Sequence, residues 1–180
     1  MRMFVAVDLS DEIKASAFAL RASARQVLRG AAFKFVDPQH LHLTLAFMAD
    51  SAPDRVVPSF QQPIEMPPFE IAAGGLGVFP PRGAPRVLWI GLSSGATEVV
   101  ALQKIVAGRL SAAGVALEDR AFHPHLTLGR WRQSRPSDRP SFAVDAADAG
   151  RMTVDHVTLY ESRLSSEGPT HIALARTVLQ

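Results

Sequence analysis

The amino-acid sequence predicts an α+β protein built from two similar halves. Strand, helix, strand units recur along the chain, further segments with alternating apolar side chains lie outside them, and the landmarks of the first unit reappear 83 residues later. We expect a bilobal, duplicated fold with a pseudo-twofold axis, in which antiparallel sheets line a central groove and helices lie outside. Residues 1–180 then form a single domain, with an internal repeat of approximately 1–50 and 84–133.

The first half begins with a short apolar strand, Phe4–Val7, and an amphipathic helix. The helix is predicted from about 11 to 29, because polar residues can cap its start, Gly30 stands at its end, and apolar residues recur every three or four positions. These apolar residues are Ile13, Ala17, Leu20, Ala24 and Val27. After a turn at Asp37-Pro38, Leu41–Met48 alternates as a strand does.

The second half repeats this order. Val87–Ile90 is an apolar strand, and Gly114 ends the helix that follows it. The apolar stripe of that helix consists of Val99, Leu102, Val106 and Leu110. Phe122–Leu128 then matches the strand around His42, at the same offset of 83 residues. Strand, helix and motif recurring at one offset indicate an internal duplication.

The remaining segments are predicted as strands and loops. Glu70–Phe79 is a strand with a bulge or bend at its glycines. Met152–Leu164 and His171–Leu179 alternate as strands do. The proline-rich segment Pro53–Pro68 is predicted to be mostly loop with at most one helical turn, and the arginine-rich segment Arg130–Pro140 is predicted to be a long surface loop.

Composition and charge exclude several classes of protein. The chain contains no cysteine, which excludes disulfides, thiolate zinc sites and cysteine nucleophiles. Its formal net charge of +2 is too small to indicate a nucleic-acid coat protein. No apolar run approaches the roughly 20 residues of a membrane span, and the start lacks the apolar core of a signal peptide. We therefore expect a cytoplasmic monomer with no membrane association and no obligate protein partner.

Two His-Leu-Thr-Leu motifs contain the candidate catalytic and phosphate-binding residues of the sequence. On a strand, residues two apart share a face, so each motif presents His and Thr on one side and two leucines to the core. If the halves face each other across the groove, His42 and Thr44 meet His125 and Thr127. Two imidazoles with ordinary pKa values near about 6.5 can serve as acid and base, and two hydroxyls can hydrogen-bond to phosphate oxygens.

Two further histidines leave a metal site as an alternative. His40 and His123 lie two positions before His42 and His125, and would share their face if the strands extended that far. Four imidazoles could then hold a metal ion, as in cupin-like sites. Pro124 disturbs the second strand, however, and no Asp or Glu completes either cluster, so we expect no metal.

The two motifs in their contexts resemble the two-histidine (2H) phosphoesterases. The segments that carry the resemblance are His42-Leu-Thr-Leu-Ala-Phe47 and Phe122-His-Pro-His125-Leu-Thr-Leu-Gly-Arg130. They look most like the RNA 2',3'-cyclic phosphodiesterases, also described as 2'-5' RNA ligases (the LigT branch), and the likeness covers nearly the whole chain. The resemblance implies hydrolysis of a 2',3'-cyclic phosphate at the end of an RNA or oligonucleotide to a 2'-phosphomonoester. It also implies no metal or other cofactor, and allows for reversible 2'-5' ligation.

The resemblance further implies roles for the motif residues. His42 is expected to be the proton donor to the departing 3'-oxygen, and His125 the proton acceptor from water. The threonines, Thr44 and Thr127, are expected to hold the non-bridging oxygens.

Two more residues are expected to bind substrate by the same resemblance. Arg130 follows the second motif and is expected to contact phosphate, and Phe47 is expected near the base. The strand alternation by itself puts Phe47 on the core face together with Leu45. A module that binds an RNA end without turning it over remains the alternative from a different functional class.

Overall fold

Nine strands and two long helices make up most of the protein in this computed structural model, which describes residues 1–28, 32–117, 121–140, 148–165 and 168–180. The strands are β1 (Met3–Asp8), β2 (Ala32–Phe35), β3 (His42–Met48), β4 (Phe69–Phe79), β5 (Val87–Ser94), β6 (Leu126–Gln133), β7 (Asp148–Val154), β8 (His156–Ser165) and β9 (Gly168–Val178). The helices are α1 (Asp11–Val27), the short α2 (Pro53–Val56) and α3 (Ala96–Ala112).

All nine strands belong to one antiparallel sheet, in the order β7-β4-β5-β6-β3-β1-β8-β9, with β2 beside β6. At its centre, β3 and β6 are joined through a single residue pair, Leu43 with Leu126. The sheet thus consists of two halves that meet at this pair, which we call the junction. The predicted α+β class is confirmed, and the two expected antiparallel sheets are continuous through the junction.

The two long helices bury the apolar stripes that the sequence predicts. Ser10 begins α1, because its Oγ accepts a hydrogen bond from the Ile13 amide. All four stripe residues of α3 are fully buried, and Gly114, with a φ of +77°, follows its last turn. α1 packs against β7 and α3 against β3, so each helix contacts a strand of the other half. Gly30 lies outside the described residues, as does the side chain of Val27.

Neither of these helices, nor any other helix among the described residues, combines the length and hydropathy that a membrane span requires.

Both motif strands contain a β-bulge at the same place. Leu45 in β3 has no partner on β1, and Leu128 in β6 has no partner on β5, although the residues around them are paired. These two leucines lie 83 positions apart, the offset of the sequence repeat. Because β-bulges are specific features of a fold, a bulge at equivalent positions of both halves supports a duplication.

Each bulge shifts the alternation of side chains by one residue. Phe47 and Arg130, which follow the bulges, are consequently turned to the face of the histidines, and Phe47 is 44% exposed. The interpretation from alternation that Phe47 faces the core is therefore wrong, because a strict period of two assumes a strand without a bulge.

Three other segment predictions need adjustment. The predicted loop Arg130–Pro140 is wrong over its first four residues, because pairing with β2 extends β6 to Gln133. The segment after Pro53 contains more helix than predicted, since α2 is followed directly by a 3-10 helix at Val57–Phe60. The stretch predicted as Met152–Leu164 is two strands, β7 and β8, on either side of Asp155.

Candidate active site

The junction between β3 and β6 brings the two motifs together. Its antiparallel pairing of Leu43 with Leu126 sets the histidine of each motif opposite the threonine of the other. Both leucines are fully buried, so the residues on either side of them point to the opposite face of the sheet. The residues that share this face at the junction are His42, Thr44, His125 and Thr127.

A cavity of about 400 Å³ opens beside the junction, a volume typical of small-molecule sites. Four of the residues predicted from the sequence line it: Thr44, Phe47, His125 and Arg130. Phe79 and Phe122 add aromatic walls. The other two predicted residues, His42 and Thr127, are outside the lining and lie on the adjoining part of the same face.

Both motif histidines make the same backbone hydrogen bond. The Nδ1–H of His42 donates to the carbonyl oxygen of His40, and the Nδ1–H of His125 donates to that of His123, each over 2.7 Å. A carbonyl can only accept, so the neutral ring carries its proton on Nδ1 and keeps a lone pair on Nε2. In each histidine, Nε2 is therefore the basic nitrogen of the neutral ring.

His42 lies in an enclosed setting. Its ring stacks on Phe4, with 4.7 Å between centroids, and His171 packs against it at 5.4 Å and nearly perpendicular. Burial lowers the pKa of His42 to about 4, and the charges of His171 and His40 act in the same direction. The hydrogen bond to the His40 carbonyl and the carboxylate of Asp8 act in the opposite direction but are outweighed.

His125 is surrounded by different side chains. Its ring meets Phe79 edge-on at 5.0 Å and lies 6.4 Å from Trp89, and both aromatic rings also contact His123. The Trp89 indole crosses directly over Gly77, where a Cβ atom would lie 2.0 Å from Cζ2 of the indole. This aromatic wall therefore requires glycine at position 77.

Asp8 is a carboxylate beside His42 that sequence reasoning missed. It is the register partner of His42 on β1. Its oxygens accept hydrogen bonds from Tyr160 Oη at 2.6 Å, Thr158 Oγ1 at 2.7 Å and His156 Nε2 at 3.2 Å. Burial raises the pKa of Asp8, but these hydrogen bonds outweigh burial and hold the pKa below its usual value. Asp8 is therefore an anion at neutral pH and favours a proton on His42.

His40 and His123 contribute their backbone rather than a row of ring ligands. β3 begins only at His42 and β6 only at Leu126, so the strands do not extend to the earlier histidines as the metal alternative assumed. Within the five described ranges, no group of three or more His, Asp or Glu side chains is arranged to hold a metal ion.

The family of the chain follows from its match to known proteins. A family model described as the 2'-5' RNA ligase superfamily matches residues 10–165. The chain belongs to this superfamily. The resemblance read from the two motifs is confirmed.

Related proteins match over nearly the whole length. An RNA 2',3'-cyclic phosphodiesterase of Archaeoglobus fulgidus is 30% identical over 174 residues, which cover 95% of this chain and 96% of that protein. A protein of the same name from Methanothermobacter thermautotrophicus is 31% identical over 180 residues, covering 95% of each.

Solved structures share the fold. Escherichia coli LigT complexed with 3'-AMP superposes with a TM-score of 0.78 and 25% identity, covering 99% of this chain and 98% of that one. A Thermus thermophilus protein, TT0787, gives a TM-score of 0.77 and 26% identity, covering 99% and 97%. The arrangement of sheet and helices in this superfamily member is therefore the one found in these proteins.

Proposed function

We propose that this protein is an RNA 2',3'-cyclic phosphodiesterase that opens the cyclic phosphate at an RNA or oligonucleotide end to a 2'-phosphomonoester. The observation that carries the proposal is the junction, where two imidazoles, each held through Nδ1 by a backbone carbonyl, and two hydroxyls share one face. The substrate class is the one in the names of the relatives.

The proposed reaction is a displacement at phosphorus. His125 Nε2 takes a proton from water as the water oxygen bonds to phosphorus, and the bond from phosphorus to the 3'-oxygen breaks. His42 gives its proton to that departing oxygen, which leaves a 3'-hydroxyl and a 2'-phosphate. Exchange of both protons with solvent restores the starting state. A 5'-hydroxyl attacking in place of water would give a 2'-5' linkage.

The surroundings of His42 add a condition to this reaction. With a pKa of about 4, His42 is neutral in the free enzyme at pH 7, whereas a general acid must carry a proton. The negative charge of the bound cyclic phosphate favours the imidazolium and supplies this condition, with Asp8 acting in the same direction. Proton uptake on substrate binding therefore follows from the proposed roles.

The remaining predicted residues are assigned to substrate binding. Thr44 and Thr127 donate hydrogen bonds to the non-bridging oxygens, where negative charge builds during the reaction. Arg130 and Phe47 are set on the histidine face by the two bulges and line the cavity. We assign phosphate contact to Arg130 and base contact to Phe47.

Product identification tests the proposal directly. The protein is incubated, in excess EDTA, with an oligonucleotide that ends in a 2',3'-cyclic phosphate, and the product is identified by phosphorus NMR. We expect a 2'-phosphate. A 3'-phosphate would contradict the assigned leaving oxygen, and binding without product would favour an RNA-end-binding module. Activity that EDTA abolishes and zinc, iron or manganese restores would contradict metal-independent catalysis.

A further inference from the structure

His171 is a third imidazole on the histidine face of the first half, and the proposed reaction does not use it. It lies on β9, with its ring centroid 5.4 Å from His42, 4.8 Å from Phe4 and 5.2 Å from His40. The His42 ring is thus held in three ways: it stacks on Phe4, meets His171 at an interplanar angle of 81°, and is fixed through Nδ1 by the His40 carbonyl.

The second half places different side chains at the corresponding histidine. The rings beside His125 are Phe79 and Trp89, neither of which takes up a proton near neutral pH. The ionisable ring His123 packs against these two aromatics. In the part of the chain that the structure describes, His42 therefore has an imidazole packed directly against its ring, whereas the rings beside His125 are those of Phe79 and Trp89.

Charged or titratable groups of the described residues face His42 from several of the elements packed around it. They are Asp8 on β1, His40 in the turn before β3, Tyr160 on β8 by way of Phe4, and His171 on β9. Burial and the hydrogen bond to Asp8 raise the pKa of Tyr160 to about 12, so its hydroxyl stays neutral. Asp8 accepts its hydrogen bonds from three side chains of β8. A charge on His171 consequently acts on His42 at short range.

We propose that His171 is a positioning residue for His42: its ring fixes the plane of the His42 imidazole, and a proton on either ring opposes a proton on the other until an anionic phosphate enters. This inference rests on the proposed function. Burial lowers the pKa of His171 as well, and a charge on His40 acts in the same direction, so His171 and His42 both favour the neutral form in the free enzyme. An anion at the junction offsets the repulsion and lets His42 take a proton.

The charge of His171 is tested by histidine NMR titration of the full chain, reading the Cε1–H signal of His42 in the wild type and in H171Q. Two unit charges 5.4 Å apart interact strongly enough, even at the dielectric constant of water, to shift a pKa by about 0.5 units. We expect the pKa of His42 to rise by at least about that much in H171Q, and the limb of the kcat/KM profile that belongs to His42 to move with it.

H123Q is the matched control for this titration, because His123 packs on the second-half aromatics and not on His42. It should leave the pKa of His42 unchanged. A folded H171Q with the wild-type pKa at His42 would overturn the electrostatic part of the proposal. H171N removes the same charge and gives the same reading should H171Q fail to fold.

The positioning by the ring is tested with H171F and H171A. H171F keeps an aromatic ring against His42, whereas H171A removes that contact. A catalytic group that is held less firmly in its productive position lowers the rate of the reaction. We expect H171A to lower kcat about tenfold or more with KM little changed, and H171F to retain more of kcat than H171A. Equal, wild-type kcat in both would overturn this part. Because the titration needs no turnover, a protein that shows the pKa rise but forms no 2'-phosphate would contradict the proposed function alone.

Discussion

His42 and His125 make the same backbone hydrogen bond, yet the side chains around them differ. His42 packs against Phe4 and His171 with a carboxylate beside it, and His125 packs against Phe79 and Trp89. The repeated backbone fixes the features that both histidines need, namely the tautomer and the direction of Nε2. Side chains that do not repeat give each imidazole its own environment, as a pair with separate acid and base roles requires.

One pair of equivalent positions shows how the halves diverged. Trp89 on β5 corresponds, at the offset of 83, to Ala6 on β1. Trp89 lies opposite Gly77, which leaves space for the indole, whereas Ala6 lies opposite Thr158, which donates to Asp8. A large side chain thus builds an aromatic wall in the second half, where a small one leaves space for a polar network in the first.

Removing either motif histidine should cause the largest loss of catalytic rate. H42A and H125A each lose one proton-transfer group, and we expect kcat to fall by about 10²–10⁴-fold or more in each. Initial rates on a cyclic-phosphate oligonucleotide measure this, with circular dichroism as the control for folding. Full activity in either variant would show that only one half carries the chemistry.

The enclosed setting of His42 should appear in the pH dependence of stability. Because burial holds the pKa of His42 at about 4 in the folded state, against about 6.5 unfolded, the unfolded chain binds the extra proton between these values. Stability should therefore be greatest above about pH 6.5 and fall toward pH 4, by an amount on the order of 3 kcal/mol from this residue.

Urea unfolding at several pH values checks this dependence. H42Q removes the titrating group, so its stability should decline less steeply than that of the wild type between pH 6.5 and 4. Parallel slopes in the two proteins would show that His42 is not held neutral by its surroundings.

The two threonines test whether the halves contribute equally to phosphate binding. Hydrogen bonds to charged groups are worth about 1.5–3 kcal/mol, so T44V and T127V should each lower kcat/KM by roughly 10- to 100-fold. T44S and T127S keep the hydroxyl and should stay near the wild type. Steady-state kinetics compares them, and a loss in only one half would show that a single threonine holds the phosphate.

The smallest expected effect concerns the aromatic wall of the second half. G77A places a Cβ inside the indole of Trp89, and we expect a loss of about 1–3 kcal/mol of stability together with reduced kcat, as the wall beside His125 shifts. G108A is the matched control, since a Cβ at Gly108 in α3 meets nothing within 4 Å and should stabilise the helix by about 0.5–1 kcal/mol. The denaturant midpoints of both variants measure these changes. An unchanged midpoint for G77A would show that the Trp89 indole moves away from the added Cβ atom at no cost in stability.

The sequence allowed prediction of those features that depend on local spacing. The stripe of α3, the strands and the two motifs follow from periodicities within one element. The bulges at Leu45 and Leu128 do not, because a pattern of period two carries no sign of an extra residue. They decide which way Phe47 and Arg130 point.

The surroundings of His42 were beyond sequence reasoning for a different reason. Asp8 and His171 belong to no motif, and they reach His42 only through the pairing of β1 with β3 and β8, and of β8 with β9. The contact of His171 with His42 joins positions 129 residues apart, and that of Asp8 with His42 joins positions 34 apart, in a chain of 180 residues. A single sequence gives no signal for His171, and for Asp8 only its place at the end of a strand.

The central claim is that His42 and His125 act as one acid–base unit across the junction. The most direct test compares kcat/KM for the wild type, H42A, H125A and the double variant H42A/H125A on the same cyclic-phosphate oligonucleotide. When two groups act as one catalytic unit, removing the second group costs little once the first is absent. The double variant should therefore be no more than about tenfold slower than the slower single variant. If the two losses instead multiply, the histidines contribute independently, and the account of a single unit built from both halves is contradicted.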